Sequence, residues 1–378
     1  AFNKNNIIYD IEEKNWVINN RNVKKYAAWA CEINKNQGEG KLAQNFLNYL
    51  SNSKQITIDV KTLSNKLKVS KGKLVYSYKE LFSNTNQLNF FEKYLNPLVG
   101  VIFLWYNFFK GKKIIYINFL PLWNFLIFLL LPPNTILGPV TGTTMVNSQS
   151  AIERFLRKYV MPSTFKISIF LINLRKLEVL FATESLKSVV ENKIKKSTYY
   201  NFSLNEISSF ENKEIKPFNE RQYDFCLYFR KHPNKNEVYF KKFIDEFGTN
   251  FPDKKMIIFG DDPGVKNSNN IDFLGTVENK VILNYLSQSK FSIVSDETLF
   301  SFFMLDCLRN SVTIFYNKKD YNSDEKLSDI VSKIHEINFN NFEESIKKIK
   351  KVFIETKDIP NYKFDNFKSF YSDYFLKF

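Results

Sequence analysis

The chain is 378 residues long, enough for two domains of ordinary size, each with its own core. It carries 54 Lys and Arg against 39 Asp and Glu, a formal net charge of +15, together with 39 Phe, 20 Tyr and only two His. So few histidines argue against a zinc site of the usual kind, and the charge calls for an anionic partner: a polyanion, an anionic membrane surface or a phosphorylated small molecule.

In chain order, residues 1–14 lack the apolar core of a secretion signal. Residues 26–31 (YAAWAC) predict a strand and 34–40 (NKNQGEG) a turn-rich loop. Leu42, Phe46, Leu47 and Leu50 then fall at helical spacing. Gly38 and Gly40 would let the backbone approach a ligand closely, although this is not the dinucleotide fingerprint. Residues 103–113 (FLWYNFFKGKK) mix aromatics with lysines, and 117–131 is almost wholly apolar. Asn118, Pro121 and Asn124 interrupt that run, which is shorter than the roughly 20 residues a spanning helix needs. It reads as a buried strand and helix with a partly exposed apolar face.

The segment 135–144 (TILGPVTGTT) is either an ordinary turn or a ligand loop, and Arg154, Arg157 and Lys158 make a basic face. Residues 177–183 (LEVLFAT) read as the last strand of the first half, and the polar stretch 196–222 as a linker.

The second half opens with an aromatic strand at 224–229 (DFCLYF), a basic turn from Arg230 to Lys235, and a helix over 237–246. Amide groups at a helix start favour anions, and Arg230 and Lys235 would add full charges for a diphosphate. Residues 256–259, 271–274, 291–294 and 312–315 are further short apolar runs, the first two closed by Gly260 and Gly275, with helical segments between. Strands alternating with helices predict a parallel sheet with ligands at its carboxyl edge. Cys31, Cys226 and Cys307 show no metal-ligand spacing and imply structural burial in a reducing compartment. The basic residues are dispersed, with no nucleic-acid motif among them, so nucleic acid is not an expected partner.

The order of these features resembles the retaining, glycosyltransferase family 4-like enzymes of the GT-B fold, which use nucleotide-diphosphate sugars. That family places an Arg and, five residues on, a Lys at the donor diphosphate, the spacing of Arg230 and Lys235. It then carries a Glu-Gly-Phe-Gly start and a second acid eight positions after the first. Thr298, Leu299, Phe300 and Ser301 fall on the start and Asp306 on the second acid, which holds the ribose in the family. Glu297, one residue before Thr298, is assigned the role of the first acid, at the donor sugar. The resemblance implies an α/β fold of two Rossmann-like α/β/α domains facing a cleft. Residues 1–200 would bind acceptor, 201–222 link, 223–360 bind donor, and 361–378 form a helix crossing back to the first domain.

The same resemblance assigns Arg230, Lys235 and Glu297 to catalysis. Gly38, Gly40, Gly260, Thr276, Val277, Thr298, Leu299, Phe300, Ser301 and Asp306 are assigned to the donor, and Gly138, Thr141, Gly142, Thr143 and Arg154 to the acceptor. It implies neither metal nor cofactor, retention of configuration, and a lipid-linked glycan acceptor in bacterial surface polysaccharide synthesis. The enzyme would be cytoplasmic, peripheral at the inner face of the membrane. Replacement of the first acid and of both glycines of the start leaves two alternatives: a GT-B scaffold that binds without turnover, or a GT-B sugar-nucleotide epimerase.

Overall fold

The structure is a computed structural model and describes residues 7–10, 15–18, 24–30, 33, 38–51, 56–62, 66–70, 73–76, 90–117, 125–140, 155–182, 190, 192–199, 216–232, 235–264, 270–296, 301–317, 333–358 and 360. A short antiparallel hairpin, β1 (Ile7–Asp10) and β2 (Asn15–Ile18), precedes two separate sheets.

The first sheet contains β3 (Lys24–Ala30), β4 (Ile56–Lys61), β5 (Lys66–Ser70), β6 (Lys73–Tyr76), β7 (Lys113–Ile117), β8 (Ile136–Val140), β9 (Glu178–Phe181) and β10 (Ser197–Tyr199). Their order is β10-β9-β8-β7-β3-β4-β5-β6, and only β5 and β6, at one edge, run antiparallel to their neighbours. The helices of this half are α1 (Gly38–Ser51), α2 (Phe90–Phe109), α3 (Phe125–Leu130) and α4 (Met161–Leu174), the last entered through a π turn at Leu156–Val160.

Helices cover both faces of this sheet, which is why β3 is nearly unbroken apolar sequence rather than alternating. Tyr26, Ala28 and Ala30 meet Leu42, Phe46 and Leu47 of α1. Ala27 and Trp29, on the other face, meet Val101 and Leu104 of α2, Phe128 of α3 and Ile172 of α4. Gly100 lets α2 lie directly on the Trp29 indole, where an added Cβ would stand 2.5 Å from ring atoms.

The second sheet contains β11 (Tyr223–Phe229), β12 (Met256–Gly260), β13 (Ile271–Gly275), β14 (Ser289–Val294), β15 (Thr313–Asn317) and β16 (His335–Ile337). All are parallel, in the order β13-β12-β11-β14-β15-β16. The helices α5 (Glu237–Asp245), α6 (Phe247–Asn250), α7 (Asn279–Leu286), α8 (Phe302–Arg309) and α9 (Phe342–Glu355) flank it. Cys226, Ile257 and Val294 face α7 and α8. Phe225, Leu227 and Phe229 face α5 and α9. Phe225 has the rings of Phe243, Phe247, Phe251, Phe291 and Phe353 around it, each centroid within 6.0 Å, so much of the aromatic content is core.

Two details differ from the sequence reading. The run 177–183 is not the last strand of the first half, because Ser197–Tyr199, inside the polar stretch read as linker, pairs in parallel with β9. Three residues are too few to show a periodicity. The end of that stretch also has an anchor: buried Arg221 donates to the carbonyls of Lys216, Ser289, Asn310 and Ser311, fixing the entry to β11. Residues 201–215 and the helix read at 361–378 lie outside the described residues.

Candidate functional site

The strand order of the second sheet reverses between β11 and β14, where parallel α/β sheets open a crevice at their carboxyl ends. Arg230 follows β11, Asp261 follows β12, Thr276 follows β13 and Ser295 follows β14, so all four stand on that edge. The basic turn leads into α5 through Asn236, which has φ +59°. This is a left-handed conformation that Asn tolerates better than most residues. From there its Oδ1 accepts from the Ser295 hydroxyl at 3.0 Å and the Asp296 amide at 3.1 Å, tying the two lips of the crevice together. Behind them buried Asp296 accepts from the side-chain amide of Asn317, whose Oδ1 accepts from the Phe339 amide at 2.9 Å.

Arg230 is partly exposed, with its guanidinium 3.3 Å from the Tyr228 hydroxyl and 3.4 Å from the Asp261 carboxylate. The Tyr228 hydrogen bond, and after it the charge of Asp261, raise its pKa above the ordinary arginine value, so it is held as a cation. Asp261 also accepts from the Lys231 amide at 2.9 Å, which fixes the turn. Tyr228 stacks on Phe303 of α8, centroids 5.5 Å apart. Lys235 is half-buried, and its amide donates to the His232 carbonyl at 2.8 Å, closing the basic turn just before α5. The arrangement places the Arg230 guanidinium, a basic turn and a helix start at one rim, a geometry suited to a diphosphate.

Asp306 is buried, one turn into α8, and its Oδ2 accepts from the Asn279 side-chain amide in the first turn of α7 at 2.9 Å. It is therefore not an exposed acid on a helix back. Ser301 caps α8, its hydroxyl accepting from the Met304 amide at 3.3 Å. Thr276 is exposed with its hydroxyl 3.5 Å from the Gly260 carbonyl, and Val277 packs on the α7–α8 side of the core.

Gly38 and Gly40 fall in the first turn of α1 rather than in a loop before it. Lys41 stands 4.5 Å from the centroid of the Phe302 ring, and Phe302 packs against the α1 side of the first core. The start of α1 therefore meets the start of α8, which brings Gly40 and Ser301, each a neighbour of one contact partner, to the same junction between the sheets. Gly138 has a place inside β8 instead: it is buried, with φ +136°, and an added Cβ would stand 2.5 Å from the Leu180 carbonyl. Thr141, Gly142, Thr143, Arg154, Glu297, Thr298, Leu299 and Phe300 lie outside the described residues.

Sequence reading missed Asn236, Asp261, Asn279 and Asn317. Each is a common polar residue in a chain rich in them, and only Asn236, directly before a helical run, carried a local signal. A separate cavity of about 440 Å³, lined by Lys112, Lys113, Lys176, Lys196 and Glu178, opens at the amino-terminal edge of the first sheet. That edge is opposite the one where parallel sheets hold ligands.

No protein-family model and no curated protein matches the chain. Solved structures do. The sucrose-phosphate synthase of Thermosynechococcus elongatus superposes with a TM-score of 0.57 at 10% identity, covering 88% of this chain and 90% of its own. The chain has the GT-B fold. The same GT-B architecture relates it to the catalytic domain of starch synthase IV from Arabidopsis thaliana, bound to ADP and acarbose, with a TM-score of 0.53, 10% identity and coverage of 88% and 92%. A glycosyltransferase from Rickettsia africae superposes with a TM-score of 0.51 at 12% identity, covering 88% and 89%. Two sheets, each with parallel strands flanked by helices and an order that reverses once, are what the GT-B fold consists of here.

Proposed function

We propose that the chain is a glycosyltransferase that moves a sugar from a nucleotide-diphosphate sugar to a hydroxyl group of a saccharide acceptor. The observation that carries this reading is the basic turn Arg230–Lys235 at the switch point of the second sheet, with Asn236 binding it to the end of β14. Arg230, Lys235 and the start of α5 would neutralise the diphosphate as the glycosidic bond breaks. Removing one such donor costs about 10²–10³ in rate. Asp306, oriented by Asn279, would accept from the ribose hydroxyls. The starch synthase that shares the fold is bound to ADP, a ligand with the chemistry this rim suits.

The finer reading is transfer with retention to a lipid-linked glycan of a bacterial surface. In it the departing phosphate takes the acceptor proton, so no protein base is required, in keeping with only two histidines in the chain. Glu297 would meet the donor sugar. Because Thr298 stands where the resemblance places the first acid, binding without turnover is the second reading.

Thermal unfolding against ADP, UDP, GDP, CMP and their sugar conjugates tests the donor site. A ligand at about 100 times its Kd stabilises by about 2.7 kcal/mol. One nucleotide diphosphate should raise the midpoint of the wild type but not of Arg230→Ala, and Asp306→Asn should bind more weakly than wild type. No shift with any nucleotide would refute the donor reading. A shift without sugar release or transfer would favour the binding reading.

A further inference from the structure

The helices on the face of the first sheet opposite α1 are apolar on both sides. Val101 and Leu104 of α2, Phe128 of α3 and Ile172 of α4 pack inward. Yet Ile102, Phe109, Leu126, Phe170 and Leu174 on the same helices are 71, 79, 56, 63 and 63% exposed. The helices are neighbours: α3 touches both α2 and α4, and the Trp105 indole N–H donates to the Leu130 carbonyl at 2.7 Å across α2 and α3. An apolar surface continuous over three helices exceeds what scattered exposed residues account for, and helices apolar all round need a second environment.

The charge around this face identifies that environment. Asp and Glu make up 39 of the 378 residues, yet 98–117, 125–140 and 155–177 contain neither. Those segments do contain Lys110, Lys158, Lys166 and Lys176, all exposed. Lys110 lies 4.1 Å from the Tyr106 ring centroid and Lys158 5.2 Å from that of Tyr159, aromatic and cation side by side. Lys112 is tied to Asp59 and Asn107 and belongs to the fold. A second copy of this chain seated face to face would set cationic rim against cationic rim. An anionic bilayer offers apolar depth with phosphates above it, matching both properties. No described helix is long and apolar enough to cross a membrane, so the contact is with a surface. The face also lies on the other side of the sheet from α1, whose start meets α8.

We propose that the α2–α3–α4 face seats this chain on an anionic lipid bilayer, with Ile102, Phe109 and Phe170 at the acyl boundary and the lysines at the phosphates. The inference rests on this surface alone and not on the donor site.

Flotation of the 378-residue chain with vesicles of phosphatidylcholine, alone or mixed with phosphatidylglycerol, tests it. The wild type should float with the mixed vesicles and not with the neutral ones. Ile102→Ser, Phe109→Ser and Phe170→Ser together should weaken binding at least about ten-fold, since each removes several buried methylenes. Lys158→Gln and Lys166→Gln should each weaken it by about five-fold. Unchanged circular dichroism and melting would show that the variants fold. The proposal is overturned if the wild type floats with neither vesicle, or if the folded triple-serine variant binds as well as wild type. It is equally overturned if light scattering shows a wild-type dimer that the triple variant converts to monomer, because the face would then join two copies.

Discussion

Gly260 has φ +102°, and a Cβ built on it would stand 2.2 Å from the Phe229 carbonyl oxygen. Phe229 and Gly260 are the last paired residues of β11 and β12, just before Arg230 and Asp261. The resemblance implies that Gly260 touches the donor, and the backbone supplies a reason of its own for glycine there. We predict that Gly260→Ala lowers stability by about 1–3 kcal/mol, from left-handed strain with backbone on the other side of the clash. Denaturant unfolding followed by circular dichroism measures this, and a loss below the resolution of the method would mean the turn can relax. The place of Arg230 at a strand end was legible because an aromatic apolar run followed by a basic turn is a property of the sequence. Asp261, which holds it, was not, because the pairing joins two strand ends 31 residues apart.

At the scale of elements, α2 shows which of two opposing effects wins. Replacing Gly100 by Ala would gain about 1 kcal/mol of helix propensity if α2 stood alone. The new methyl would instead meet the fully buried Trp29 ring at 2.5 Å. Overpacking of this kind costs about 1–3 kcal/mol, so Gly100→Ala should be destabilising on balance. A higher melting temperature for this variant would mean that α2 sits farther from β3. The elements of the second half were largely legible: short apolar runs gave β11 to β15, and helical spacing gave α5 and α7. β16 and β10 were not, being three residues each. Nor was the edge pair β5–β6 read, although Leu67 and Val69 alternate with Lys66, Lys68 and Ser70 as in a strand with one polar face.

For the whole molecule, buried phenols set an alkaline limit. Burial, aided by the hydrogen bond from its hydroxyl to Asp272, pushes Tyr223 up to about 12, and burial alone pushes Tyr239 to about 12. In the unfolded chain both ionise near the ordinary value of 10. Between these values the folded chain keeps protons that the unfolded chain has lost, so raising pH favours unfolding. Their contribution is complete below pH 10 and is lost as pH climbs towards 12. Melting temperature measured across this window should fall steadily, and Tyr223→Phe should flatten the decline. A profile identical in wild type and variant would remove Tyr223 as a cause.

The sequence by itself determined what short windows encode. Apolar runs of strand length between helical segments give two α/β units, and Arg230 to Lys235 give a basic turn after a strand. Both are legible because burial on two faces forces continuous apolar runs, and turn chemistry needs only neighbouring residues. Tertiary structure alone decided the strand order that reverses at β11 and β14, the binding of Asn236 to Ser295 and Asp296, and the pairing of Asn279 with Asp306. It also decided which apolar residues remain outside. Each of these joins groups distant along the chain, where loop closure can bring many partners together and only packing selects one.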